Sequence, residues 1–192
     1  SSSIRNIWKA RNGEGFISQI VTDNPIIQKF NEALANEDYY GTSNSALELY
    51  RIAEKEKLAK DNVLERMKFT IITALSTRAQ ILINTYIGGA EVLPKGEIFS
   101  GRAQDLEVCL SLLEKDDFSY DRFLTSKLFL EAYSTIRSRN YSNYPVAKQK
   151  LKEALEIEDR AAYIHNSLGL ILNHENDYNG ALKHYERAAQ LI

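Results

Sequence analysis

The segment that most constrains the fold runs from Ala162 to Leu191, where small and large apolar residues recur in a helical rhythm. Leu168, Gly169, Ile171 and Leu172 mark one stripe, and Tyr178, Ala181, Leu182, Tyr185, Ala188 and Ala189 mark the next. Such spacing gives each segment one apolar side when it is wound as an α-helix. The linker His174 to Asp177 is polar and too short for anything but an antiparallel hairpin, with Asn176 and Asp177 suited to the turn and to capping the second helix. Gly169, Ala181 and Ala188 let the helices touch, while Leu168, Leu172, Tyr178 and Tyr185 fill the space between them. Gly180 costs about 1 kcal/mol relative to Ala inside a helix, which its early place in the second helix makes tolerable.

The same spacing extends back along the chain. Asn24-Pro25 is a helix start, because proline fits the first turn and asparagine can cap it. Ile26, Ile27, Phe30, Ala33 and Leu34 then form an apolar face that ends near Asp38. Ala46, Tyr50 and Ala53 repeat the intervals of Ala181, Tyr185 and Ala188. Residues 61–87 read as one long helix, apolar enough to be buried on more than one side, and Ala103, Leu106, Leu110 and Leu113 form a returning helix. Between them, 88–101 holds four of the nine glycines and Pro94, which predicts a loop-like insertion, functional or tolerated. Phe123, Leu124, Leu128, Ala132 and Ile136 mark the first helix of a third hairpin, and Val146, Ala147, Leu151, Ala154 and Leu155 its second. Strand-like alternation is absent and there are only three prolines, so an all-α fold is expected.

Counting from Ala162, the Leu-Gly pair falls at positions seven and eight, with Tyr at seventeen, Ala at twenty, Tyr at twenty-four and Ala at twenty-seven. This pattern closely resembles the tetratricopeptide repeat (TPR). The resemblance is clearest in 162–191 and weaker in 26–56 and 123–157. It implies antiparallel helical hairpins stacked as a TPR-like α-solenoid. The hairpin markers Ala46, Ala103, Ala147 and Ala181 are 57, 44 and 34 residues apart, so the period relaxes to the family's usual 34 only at the C-terminal end. The expected organisation is a helical lead-in, or the tail of an upstream domain, over 1–24, followed by a repeat domain over 25–192. In the family, the first helices of successive repeats line a concave groove. Carried onto the matched repeat alone, the groove-facing positions are Tyr163, Asn166, Leu170, Asn173 and His174. The two asparagines suit an extended ligand, since one amide both donates and accepts. The clamp used by chaperone-tail-binding members spans three regular repeats, and the irregular first repeats here do not carry it.

Little in the chain points to chemistry. It is 192 residues long, with 44% hydrophobic and 26% charged residues and a net charge of −2, and so offers no electrostatic reason to bind nucleic acid or an anionic membrane. No apolar run approaches the ~20 residues that span a bilayer, and no secretory leader is visible, which makes a cytoplasmic location the expectation. The single cysteine, Cys109, excludes an intrachain disulfide and a cysteine-rich zinc site and reads as a small buried residue. His165, His174 and His184 lack the HExxH arrangement, and their spacing assigns them to different helices and faces. Asp116, Asp117 and Asp121 lack the glycine and terminal glutamate of a calcium loop. Neither a phosphate-binding GxxxxGK[ST] nor a GxSxG elbow occurs, so no cofactor, metal or catalytic residue is expected. Arg137, Arg139, Lys148, Lys150 and Lys152 form a basic patch answered by Glu153, Glu156, Glu158 and Asp159; it reads as a solvated face, with a groove for an acidic peptide as the alternative.

The resemblance therefore implies a non-catalytic scaffold that binds a protein or peptide. A regulatory domain of a larger protein, or a self-assembly module, are the alternatives. An uncapped last helix is expected to expose Leu182, Ala189 and Ile192 to further repeats or to a second copy of the chain.

Overall fold

A computed structural model of the chain describes residue 20 and residues 23–191. The expected lead-in over 1–24 lies almost wholly outside the described residues, as does Ile192. Eight α-helices are found among the described residues: α1 (Pro25–Ala35), α2 (Ala46–Lys55), α3 (Asp61–Ile87), α4 (Gly96–Ser111), α5 (Tyr120–Arg137), α6 (Tyr144–Ile157), α7 (Ala162–His174) and α8 (Tyr178–Gln190), with a 3-10 turn at Tyr141–Asn143 before α6. No strand occurs among these residues. The fold is all-α, and the described residues form two compact units that divide inside α3, between Arg78 and Ala79. No described helix is long and apolar enough to cross a membrane.

In the first unit α1 packs on α2. Asn24 caps α1 by accepting from the Ile26 N–H at 3.0 Å, with Pro25 in the first turn, as the sequence predicts. Phe30, Ala33 and Leu34 of α1 are buried with Ala46, Tyr50 and Ala53 of α2. The connection between these helices is built from backbone: the Ala46 and Leu47 N–H groups donate to the carbonyls of Asp38 and Tyr39 at 2.9 and 3.0 Å, satisfying two otherwise orphaned donors at the start of α2. Tyr39 is buried beneath the Arg78 guanidinium, 4.9 Å from its ring centroid. The Asn31 amide holds both main-chain groups of Ile20, accepting from its N–H at 3.2 Å and donating to its carbonyl at 2.9 Å.

In the second unit each helix from α4 to α8 packs on the next. Ala147, Leu151 and Ala154 of α6, Leu168 and Gly169 of α7, and Ala181 and Ala188 of α8 are buried. Gly169 permits the α7–α8 approach, for a Cβ built there would lie 2.5 Å from the Tyr185 ring. Tyr178 departs from the expected filling role: it is 62% exposed, with its hydroxyl donating to Asn176 Oδ1 at 2.8 Å. Asp177 caps α8 by accepting from the Gly180 N–H at 3.0 Å.

The glycine-rich insertion is shorter than the sequence suggests. Helix α4 starts at Gly96, leaving 88–95 as the connection. A Cβ at Gly96 would collide with Ser138 and meet the Ser134 carbonyl at 2.8 Å, so this glycine serves a close helix contact rather than a loop. The Ser134 hydroxyl donates to the Gly96 carbonyl at 2.8 Å, and Arg137 donates to the carbonyls of Leu93 and Pro94 at 2.8 and 3.0 Å.

One device recurs at helix ends. After α1, α2, α3, α5 and α7 the chain turns through a left-handed residue, respectively Glu37, Lys57, Gly89, Arg139 and Asn176. At α7 the Asn176 and Asp177 N–H groups return to the Asn173 and Leu172 carbonyls at 3.1 and 3.0 Å. Equivalent pairs of bonds close the other four ends, giving each the Schellman geometry that satisfies terminal carbonyls.

Candidate partner-binding surface

Helix α7 buries Ile164, His165, Ser167, Leu168, Gly169 and Ile171. Tyr163, Asn166, Leu170 and Asn173, followed by His174, recur at threes and fours and so run along one side of the helix. The structure divides this row in two.

The first half is engaged internally. The Tyr163 ring meets Phe129 of α5 edge-on at 4.7 Å, and burial pushes its phenol up, partly opposed by a hydrogen bond with Ser126. The Asn166 amide donates to the Tyr86 hydroxyl at 2.8 Å. That hydroxyl lies 3.2 Å from Ser167 Oγ, which itself donates to the Tyr163 carbonyl at 2.9 Å. Tyr86 therefore accepts from Asn166 and donates to Ser167, using both capacities of its phenol. Its ring packs against Phe129 and Tyr133 of α5 at 5.3 and 4.5 Å, and Phe99 of α4 joins Tyr133 at 4.8 Å. The Tyr133 phenol is pushed up to about 12, first by burial and then by Tyr86, against the opposing charge of Arg137. Tyr163 is thus engaged by α5 and Asn166 by the last turn of α3, and the main-chain-reading role expected of Asn166 is taken by a phenol of the chain itself.

The second half is open. Leu170 is 37% exposed, and the exposed Asn173 makes no side-chain hydrogen bond among the described residues. His174 stacks on Tyr141 with centroids 4.2 Å apart and planes 12° from parallel, and Tyr144 meets it edge-on at 5.0 Å. Tyr141 stays half-exposed. Together Leu170, Asn173, His174 and Tyr141 form a mixed apolar and polar strip.

Three of the five cations of the basic patch are engaged within the chain. Lys148 pairs with Glu175 at 2.5 Å, Lys150 pairs with Glu131, and Arg137 is held by the Leu93 and Pro94 carbonyls. Glu131 also takes Lys127 at 3.6 Å, and Lys127 reaches Glu107 at 2.5 Å, so a line of ion pairs crosses α4, α5 and α6. Burial works against the charge on Lys127, but the hydrogen bond to Glu107 and the charges of Glu131 and Glu107 outweigh it and raise its pKa.

The histidines also differ from expectation. His174 stands apart, but His165 and His184 face each other across α7 and α8, with their Nδ1 atoms 2.9 Å apart. Among the described residues no three His, Cys, Asp or Glu side chains are grouped as a metal site. Cys109 is fully buried. Asp117 accepts from the Ser119 N–H at 2.9 Å and so shapes the turn before α5.

In the first unit an open cleft of about 650 Å³ is lined by Asn24, Ile26, Lys29, Asn44, Ile52 and Leu58, among others. The Asn24 amide donates to the Leu58 carbonyl there at 2.6 Å. On α8, Leu182 is 55% exposed and Ala189 is exposed.

The residues missed by sequence reasoning are Tyr86 and Tyr141, which decide what α7 presents. Tyr86 lies at the end of a long helix whose periodicity says nothing of a bond to Asn166, 80 residues away. Compared with known proteins, the chain matches no family model, no curated protein and no solved structure at a significant level.

Proposed function

We propose that the chain is a non-catalytic protein-interaction scaffold of TPR-like hairpins whose partner, a peptide or short helix, lies along Leu170, Asn173, His174 and Tyr141. The observation that carries this reading is the open half of the α7 row: an apolar side chain, an amide without an internal bond and a stacked aromatic pair lie together on rigid helical supports. Asn173 supplies both a donor and an acceptor to a main chain, and Leu170 and Tyr141 supply apolar contact. The stacked-repeat part of the reading is supported by the TPR spacing of 162–191 and by the packing of each helix from α4 to α8 on the next.

Site-specific photocrosslinking tests it. A photoreactive residue at Leu170 or Tyr141 is expected to capture the same polypeptide, and one at the exposed Lys183 of α8 is not. Equal capture from all three positions would overturn the assignment of the surface.

A further inference from the structure

His165 of α7 is nearly buried, His184 of α8 is half-buried, and the two rings lie 29° from parallel with centroids 5.2 Å apart. Their Nδ1 atoms are 2.9 Å apart, the distance of a hydrogen bond that holds one proton. The other nitrogen of His165, Nε2, is 3.0 Å from the Asp159 main-chain oxygen. A carbonyl only accepts, so Nε2 carries a proton and the Nδ1 of neutral His165 is the acceptor. The proton between the rings therefore belongs to His184, whose Nε2 is left as the one site of the pair able to take a further proton without breaking this bond.

These tautomers order the response to acid. A first added proton goes to His184 Nε2 and keeps the Nδ1 to Nδ1 bond. A second must go to His165 Nδ1, where it sets N–H against N–H between two cations, and the rings have to part. The charges acting on His184 are His165 on α7 and Lys152 on α6, both of which disfavour a further positive charge, and Asp159 lends its main-chain carbonyl to His165. We propose that the His165–His184 pair is an acid-sensitive latch, closed when the rings share one proton and forced open when both are charged, so that α8 loosens from α7 as the pH falls. Release would free the Tyr185 ring from its seat over Gly169. The latch does not depend on the partner-binding reading.

The direction of the pH effect is consistent with the surroundings of His184. Burial, then His165 and Lys152, hold its pKa below the ordinary histidine value of 6.5. The unfolded chain therefore takes up the proton first, and the stability of the hairpin drops as the pH falls below that value.

Hydrogen exchange of the α8 amides, corrected for intrinsic rates and compared at about pH 7.5 and about pH 5, tests the latch, with α1 and α2 as internal reference. Wild-type α8 is expected to lose protection several-fold in acid while α1 and α2 do not. His184→Gln keeps an N–H donor for His165 Nδ1, and its amide oxygen can accept once His165 is charged, so its α8 should be equally protected at both values. An equal acid loss in the variant, or none in the wild type, would overturn the proposal. Should the variant fail to fold, the wild-type His184 imidazole resonance decides: it must titrate below the ordinary histidine value of 6.5, and titration at or above that value refutes the latch.

Discussion

Replacing Gly169 with alanine tests the α7–α8 contact with a single methyl group. In an exposed helix this change would stabilise by about 1 kcal/mol, because glycine carries the larger entropy cost. Here the added Cβ would stand 2.5, 2.8 and 2.9 Å from Cε1, Cδ1 and Cζ of Tyr185, closer than carbon atoms approach. The ring has to leave its seat, and overpacking of this kind costs ~1–3 kcal/mol, giving a net destabilisation of ~0–2 kcal/mol. The range of the net figure overlaps zero, so a double-mutant cycle is the decisive form of the experiment. With Tyr185→Ala already present the clash is gone, and Gly169→Ala should then stabilise by about 1 kcal/mol. The coupling between the two positions should therefore equal the overpacking cost of ~1–3 kcal/mol. Urea unfolding of the four proteins, followed by far-ultraviolet circular dichroism, measures it. The same effect of Gly169→Ala in both backgrounds would show that the ring does not occupy this space.

Two other glycines of the second unit should respond in opposite directions: Gly96→Ala is expected to destabilise by ~1–3 kcal/mol, because the Ser134 carbonyl it meets is backbone and cannot swing away, whereas Gly101→Ala, with open space around it, should stabilise by up to about 1 kcal/mol in thermal melts. Lys57→Gly and Arg139→Gly remove side chains from left-handed positions and should each stabilise by about 0.5–1 kcal/mol in urea titrations; destabilisation by both would contradict the Schellman ends. Thr125→Val deletes a buried hydroxyl that has no hydrogen-bond partner among the described residues, so the melting midpoint should hold or rise, by an equivalent of up to about 1–2 kcal/mol. Dilute protease should cut first within the exposed stretch 88–92, and Arg137→Ala, which frees the Leu93 and Pro94 carbonyls, should speed that cut several-fold as read by mass spectrometry of the fragments; an unchanged rate would show that Arg137 does not restrain the connection.

Helices were legible because their signals are local. Asn24-Pro25 announces α1, the apolar spacing of 61–87 matches α3 at both ends, and Asp177 caps α8 as its position predicts. The small residues of the second helices, Ala46, Ala147 and Ala181, were legible for the same reason, and all are buried. Glycine is where local reading misleads, since Gly96 and Gly101 look like loop residues but lie in α4, one because α5 leaves no room for a Cβ and one without a contact to explain it. The left-handed turns after α1, α2 and α5 are hidden in the opposite sense, because Glu37, Lys57 and Arg139 do not resemble the glycine that such turns favour. The histidine pair was missed because helical phase places His165 and His184 on their own helices but cannot state the rotation of α8 against α7 that brings the rings together.

The same limitation governs the α7 row, and there it bears on function. Helical phase puts Tyr163, Asn166, Leu170 and Asn173 on one side, but what that side meets depends on Tyr86, which bonds Asn166. A partner that used the whole row would have to expel Tyr86. The two hydrogen bonds of its hydroxyl contribute ~0.5–1.5 kcal/mol each, and its contacts with the Phe129 and Tyr133 rings add a comparable amount apiece, so displacement costs several kcal/mol before any new contact forms. That cost equals two or more powers of ten in affinity. Binding confined to Leu170, Asn173, His174 and Tyr141 avoids it, at the expense of a small contact area. On the proposed reading, a partner would therefore engage the open strip and extend past His174 over Tyr141, away from the end of α7 that Tyr86 occupies.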